Sequence, residues 1–167
     1  MSLKVIALLG SSSDLPVTED GVAILKRFKV PHAVRICSAH RSPETLAAIM
    51  REFEGQGGQV FIGVAGMSAH LAGVIASMTV KPVLAVPVAR PETAGLDALL
   101  SMGQMPKGVP VSTMPFGKSG FSNACLTAVQ ILALSDATLA RALTDDRAKM
   151  AQAVGEDDAK HRQEFRG

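Results

Sequence analysis

Val5-Ile6-Ala7-Leu8-Leu9-Gly10-Ser11-Ser12-Ser13-Asp14 (residues 5–14, VIALLGSSSD) passes from an unbroken apolar run into a glycine and three serines. A short apolar run with no polar alternation suits a strand covered on both faces better than a surface strand or a helix. Lys4 before the run gives it a superficial likeness to a signal peptide, but the run is too short for a signal core and Asp14 follows closely. We read it as a first strand over 3–9. Runs rich in Val, Ile and Leu recur at 33–36, 60–64, 83–88 and 109–114, and segments of helical length at 16–28, 43–53 and 69–78 separate the first four. In the first segment Val17, Ile24, Leu25 and Phe28 form an apolar stripe interrupted at Gly21; in the second Leu46, Ile49, Met50 and Phe53 follow helical spacing. Ser42 before Pro43 predicts an N-cap with proline in the first turn.

Strand and helix alternating in this way predict successive βαβ units, hence an α/β fold with a parallel sheet between two helical layers. After the fifth strand a largely apolar helix is expected at 122–134, then a break at Ser135-Asp136, then an amphipathic helix over 137–154 with Leu139, Leu143 and Met150 on one side. No linker divides the chain, so one domain over 1–155, including the C-terminal helix, and a polar tail over 156–167 are expected. No apolar stretch approaches the roughly 20 residues that span a bilayer, so no membrane association is expected.

A chain of 167 residues can bury roughly 70% of the surface its unfolded form exposes. Charged residues make up only 19%, against about 25% in a typical domain, and hydrophobic residues reach 47%, which points to contacts between subunits. The net charge of +2 comes from 17 basic and 15 acidic residues without basic blocks or aromatic platforms, which disfavours a nucleic-acid partner. Cys37 and Cys125 fit neither a metal-ligand spacing nor a disulfide framework, in keeping with a reducing, cytoplasmic compartment.

In a doubly wound sheet, ligands bind beyond the carboxyl ends of the strands. Those ends carry Gly10-Ser11-Ser12-Ser13-Asp14, Cys37-Ser38-Ala39-His40-Arg41, Ala65-Gly66-Met67-Ser68-Ala69-His70 and Pro87-Val88-Ala89-Arg90. Glycine and serines before a helix offer N–H groups, hydroxyls and a helix dipole to an anion, although such clusters are more often plain turns. Arg41 on the next loop adds a guanidinium suited to phosphate or carboxylate. The first loop lacks the further glycines of a dinucleotide fingerprint and the lysine of a P-loop, which disfavours NAD and ATP. His40 can both give and take a proton near neutrality, while for an arbitrary loop histidine a helix-capping role is the commoner one. His70, beside Leu71, Ala72 and Gly73, reads as a buried helix start, and Cys37 as a small buried hydrophobe rather than a nucleophile served by His40.

From about Val5 to Leu143 the chain resembles the N5-carboxyaminoimidazole ribonucleotide mutase family of purine biosynthesis, also known as the catalytic subunit of phosphoribosylaminoimidazole carboxylase. The resemblance rests on Gly10-Ser11-Ser12-Ser13-Asp14, Ser38-Ala39-His40-Arg41-Ser42-Pro43, Ala69-His70-Leu71, the stretch 95–101, Gln104-Met105-Pro106-Lys107-Gly108 and Asn123-Ala124. It implies a flavodoxin-like three-layer α/β/α domain, assembled as an octamer, whose C-terminal helix reaches a neighbouring subunit. It also implies that Ser11, Ser13, Asp14 and Arg41 hold the ribose phosphate of a phosphoribosyl imidazole. Ser38 and His40 would then border the imidazole, and Gly66 and His70 would close the side near the carboxylate. His40 would be the catalytic acid and base for moving CO2, with no metal and no cofactor. One loop departs from the family pattern: Gly66-Met67-Ser68-Ala69-His70-Leu71-Ala72-Gly73 stands where the usual mutase reads Gly-Gly-Ala-Ala-His-Leu-Pro-Gly. Ser68 leans towards the related carboxylases, which take free CO2 directly; His70, Arg41 and Gln104-Met105-Pro106 lean towards the mutase, and Met67 matches neither. The alternative readings are a direct aminoimidazole ribonucleotide carboxylase and, in another class, a non-catalytic binder of phosphorylated nucleotides.

Overall fold

The computed structural model describes residues 2–162. The apolar runs form one sheet of β1 (Val5–Leu9), β2 (His32–Ile36), β3 (Val60–Gly66), β4 (Val83–Val88) and β5 (Ser112–Thr113). The order is β2-β1-β3-β4-β5 and every neighbouring pair is parallel. Parallel neighbours need crossovers. They are supplied by α1 (Glu19–Arg27), α2 (Pro43–Gly55), α3 (Leu71–Ser77) and α4 (Leu96–Gly103), followed after the sheet by α5 (Gly117–Ala133) and α6 (Ala137–His161). This is a flavodoxin-like α/β/α sandwich with an extra C-terminal helix.

Burial explains why unbroken apolar runs mark the central strands. β1 and β4 bury every residue, and β3 all but Gly66, whereas the edge strand β2 is partly exposed. Alternate residues of one face, Ile6 and Leu8 of β1 and Phe61 and Ala65 of β3, pack with Leu46, Ile49 and Phe53 of α2 and with Leu71, Ala72 and Ile75 of α3. The Phe53 and Phe61 rings meet edge to face at 4.9 Å. Each such buried large side chain contributes about 1.5–3 kcal/mol relative to exposure. Gly63 in β3 fixes where α3 starts: a Cβ there would lie only 3.0 Å from the Ala72 Cβ and 3.1 Å from its Cα. The close approach brings the end of the β3 loop, and with it His70, over the sheet's rim.

Several boundaries differ from expectation. The strand expected at 109–114 shortens to Ser112–Thr113, because Pro110 and Pro115 supply no N–H to the ladder. The helix expected from 16 begins instead as a 3-10 turn over Ser12–Val17 that contains Pro16. Ser42 occupies the N-cap position of α2 without a side-chain capping bond, since its hydroxyl donates to the Ser38 carbonyl at 3.1 Å. The stretch 95–101 forms most of α4, which starts after Gly95, at φ 83°. α5 begins at Gly117, earlier than 122. α6 runs past 154 to His161, into the stretch expected as a polar tail; residues 163–167 lie outside the described residues.

The chain falls into two compact units, one ending at Val129 and the other beginning at Gln130. The first holds the whole sheet. In the second, Asp136 caps α6 by accepting from the Thr138 and Leu139 N–H groups at 2.9 and 3.1 Å, and α6 buries none of its residues. Among the described residues no helix is long and apolar enough to cross a membrane.

Candidate active site

β1 delivers the first loop. The Gly10 N–H extends the ladder to the Val64 carbonyl at 2.9 Å, after which Ser11 turns extended, with φ −150° and ψ 155°, and opens the 3-10 turn. Its Oγ accepts from the Ser13 N–H at 3.3 Å and from the Ser13 hydroxyl at 3.0 Å. The turn sends Asp14 inward, leaving it 2% exposed. Burial pushes its carboxyl above the usual aspartate range, and Arg90, the Ser11 backbone and the Ser13 hydroxyl pull in the opposite direction.

β2 delivers the second loop, tied to the first because the Cys37 N–H donates to the Leu9 carbonyl at 2.8 Å. The Ser38 hydroxyl accepts from the Arg41 backbone N–H at 3.2 Å and from its Nε at 3.4 Å, while Arg41 Nη2 donates to the Gly10 carbonyl at 3.2 Å. The guanidinium is thereby moored against the serine loop. His40 Nε2 lies 2.9 Å from His70 Nδ1, with the rings nearly perpendicular at 87° and 5.0 Å between centroids. Only one of those two nitrogens can carry the shared proton, so each ring restricts the tautomer of the other. Both histidines are exposed, which corrects the expectation of a buried His70 at a helix start.

The loops after β3 and β4 complete the rim. Met67 takes a left-handed backbone, φ 56°, at the position where the sequence leaves the family pattern, and its side chain is 64% exposed. A non-glycine residue there costs about 1–2 kcal/mol relative to ordinary backbone. Arg90 Nη2 donates to the Ser13 Oγ and to Asp14 Oδ1, each at 3.1 Å. Arg90 sits at the β4 loop end, but no residue spacing reveals that it pairs with an aspartate 76 positions earlier.

Together the four loops bound a cleft of about 530 Å³. It opens where β1 and β3 lie side by side and the chain's winding reverses, the switch point of this strand order. Ser11, Ser13, Asp14, Ser38, His40, Arg41 and Gly66 all line it, joined by Met67, Ser68 and Arg90. His70 alone of the anticipated residues does not line the cleft; it stands against His40. Cys37 does not line it either: its thiol is buried and meets Ser42 at 3.7 Å, so it is not placed as a nucleophile for His40 to serve.

A sequence profile of the family described as AIR carboxylase matches residues 4–153. The chain belongs to this family. Among curated relatives, N5-carboxyaminoimidazole ribonucleotide mutase of Methanocaldococcus jannaschii is 45% identical over 159 residues, covering 95% of this chain and 98% of its own. The enzyme of the same name from Escherichia coli K12 is 42% identical over 154 residues, covering 92% and 91%. Among solved structures, Treponema denticola PurE superposes with a TM-score of 0.85 at 32% identity, covering 93% of this chain and 96% of that one. A PurE2 variant of the same organism gives 0.87 at 31% identity, covering 96% and 98%. The AIR carboxylase family match spans every loop that borders the cleft, including the Met67 loop.

Proposed function

We propose that this chain is an N5-carboxyaminoimidazole ribonucleotide mutase in which His40 acts as both acid and base. The substrate carries a carboxylate on an exocyclic nitrogen, and the product, 4-carboxy-5-aminoimidazole ribonucleotide, carries it on ring carbon C4. Protonated His40 gives its proton to the exocyclic nitrogen. The carbamate C–N bond then breaks, its electron pair stays on nitrogen, and CO2 is released. Held beside the electron-rich C4, CO2 adds there at high effective concentration, forming the new C–C bond. Neutral His40 removes the C4 proton, restores aromaticity and ends the cycle in its starting state. The observation that carries this reading is that His40 lines the same cleft as Arg41 and the Ser11–Asp14 loop. A titrating group therefore stands within one ligand's reach of an anion-binding group. In this reading Arg41, Ser11 and Ser13 hold the 5′-phosphate, Asp14 the ribose, and Ser38 and Gly66 the reacting end, with His70 backing His40 from outside the cleft lining.

The same proposal extends to assembly and place. We infer a homo-octamer of single-domain subunits, residues 1–155, with α6 lying on a neighbour. This is supported by the exposed Met150 and Val154 on a helix with no buried residue, and by exposed Ile36, Met78 and Val80 elsewhere. We place the enzyme in the cytoplasm with purine synthesis. Sedimentation equilibrium tests the assembly, and a monomer at micromolar concentration would remove it.

Offering the purified protein either N5-carboxyaminoimidazole ribonucleotide, or aminoimidazole ribonucleotide with bicarbonate, without ATP, decides the reaction. Faster C4 carboxylation from the first supports the mutase; preference for the second makes the chain a direct carboxylase, the reading towards which Ser68 in the cleft leans. His40→Asn should bind ligand and lose turnover. Unchanged turnover would take His40 out of the mechanism, and binding without any turnover in the unmutated protein would leave a nucleotide binder.

A further inference from the structure

We propose that Arg90 is a positioning residue: from the loop after β4 it clamps Ser13 and Asp14 and presents the Asp14 carboxylate to the vicinal hydroxyls of a bound ribonucleotide. The inference rests on the phosphoribosyl reading above and adds a residue to which neither the motifs nor that reading gives a role.

One guanidinium nitrogen reaches both partners at 3.1 Å, which ties the β4 loop to the turn after β1 across the mouth of the cleft. The pairing is asymmetric: Asp14 is 2% exposed and Arg90 34%. Leaving a buried carboxylate without its cation is costly, because desolvation then favours the protonated acid. Among the described residues, the charged group facing Asp14 is Arg90, and its other polar neighbours are Ser11 and Ser13. An ionised carboxylate has more acceptor sites than one guanidinium nitrogen fills, and each can take a ribose O–H; a protonated one loses part of that capacity. Arg90 and Arg41 therefore divide the work. Arg41 hydrogen-bonds to a hydroxyl and a backbone carbonyl and keeps its charge for a ligand anion, whereas the charge of Arg90 is matched by Asp14.

Binding of 4-carboxy-5-aminoimidazole ribonucleotide, measured by calorimetry at about pH 5.5 and about pH 8, tests this. Without Arg90, the pull that keeps Asp14 ionised is gone, its pKa rises further, and hydroxyl binding is lost at a higher pH. Arg90→Met should thus weaken binding more at the lower pH, about tenfold, than at the higher, about threefold or less, where loss of the Asp14 proton is favoured in both proteins. The ligand phosphate, with its second pKa near 6, titrates against both proteins and cancels from the ratio. Arg90→Lys keeps the charge and should restore most of the loss at low pH; Arg90→Gln replaces Arg90→Met if the latter does not fold. A ratio that is flat, or larger at the higher pH where the phosphate carries more charge, would mean that Arg90 acts on the ligand anion itself, and an unchanged affinity that it is a bystander; each overturns the proposal. Turnover of N5-carboxyaminoimidazole ribonucleotide by the unmutated protein is followed alongside. Its absence overturns the proposed activity, whereas turnover with a pH-independent ratio overturns only the role of Arg90.

Discussion

Two glycines line the same cleft, yet adding one methyl group to each should have opposite consequences. Gly66 closes β3 and pairs with Val88, the last residue of β4. A Cβ on Gly66 would lie 2.7 Å from the Val88 carbonyl oxygen and 3.4 Å from Arg90 Nε. The carbonyl is backbone in a buried strand, so it cannot swing aside as a side chain would. The final rung between β3 and β4 must open, with a strain of about 1–3 kcal/mol, typical of overpacking. Alanine recovers about 0.4–1 kcal/mol by restricting the unfolded chain. The net loss for Gly66→Ala is at most about 2.6 kcal/mol and centres near about 1.3 kcal/mol, or about 3–5 °C in Tm for a chain of this length. A Cβ on Gly10, by contrast, meets nothing nearer than the Ala65 Cβ at 3.6 Å and the Val64 carbonyl at 3.7 Å, ordinary contact distances. Gly10→Ala in the ligand-free protein should therefore leave Tm unchanged or raise it slightly. Thermal melts of the two variants beside wild type provide the assay. Equal melting of all three would refute the claim that glycine at 66 is needed for close approach of the strands, and a larger fall for Gly10→Ala would refute the geometry of the whole rim.

Arg41→Ala should weaken ligand binding by about 1.5–3 kcal/mol, the range for a hydrogen bond to a charged group. Comparing nucleotide with dephosphorylated nucleoside checks it, since the variant should lose the preference that wild type shows. For Asp14, the native carboxyl holds its proton more tightly than the unfolded one, so its contribution to stability is greatest below the unfolded pKa of 3.8 and is lost as pH rises through the folded value. Asp14→Asn should consequently raise Tm at neutral pH while weakening ligand binding, with the gain shrinking towards about pH 4, as melts across that range will record. Burial pushes the Cys125 thiol up to about 12, and Cys37 is buried as well, so neither should react with a maleimide in the native protein and both should do so after unfolding.

The parallel sheet was legible because its central strands are covered on both faces. Residues 5–9 and 83–88 carry no polar residue, and nothing but a doubly covered strand accounts for runs so short and so apolar. The fifth strand was harder to read, since Val109 and Val111 look like strand residues while the prolines on either side of 111–114 decide how much of the ladder can form. α4 was hidden by its start, a glycine at φ 83° with no side-chain capping bond, and by leucines at 96 and 100 that face outward while Ala98 and Met102 are the buried residues. At the site, strand ends named the loops, and the loops named the residues. What pattern does not carry is pairing across the rim. That His70 would turn to His40, and Arg90 to Asp14, depends on the close approach of α3 to β3 and on the path of the β4 loop; Gly63 marks the approach but not the partner that it brings.

These cross-loop pairs suggest why binding and proton transfer should be separable. On the proposed reading, the docking half is the β1 loop with Arg41, braced by Arg90 through Asp14, and its hydrogen bonds run to Gly10, Ser13, Asp14 and Ser38. Its geometry does not pass through either imidazole. The half to which the proposal gives proton transfer is His40 resting on His70, held by the β2 and β3 loops and more open to solvent. Replacing His40 therefore removes no hydrogen bond from Arg41, and a ligand docked by its phosphate should still find its place. If His40→Asn lowered phosphate affinity as much as Arg41→Ala does, the two halves would be one network, and the assignment of separate duties to neighbouring residues 40 and 41 would fail.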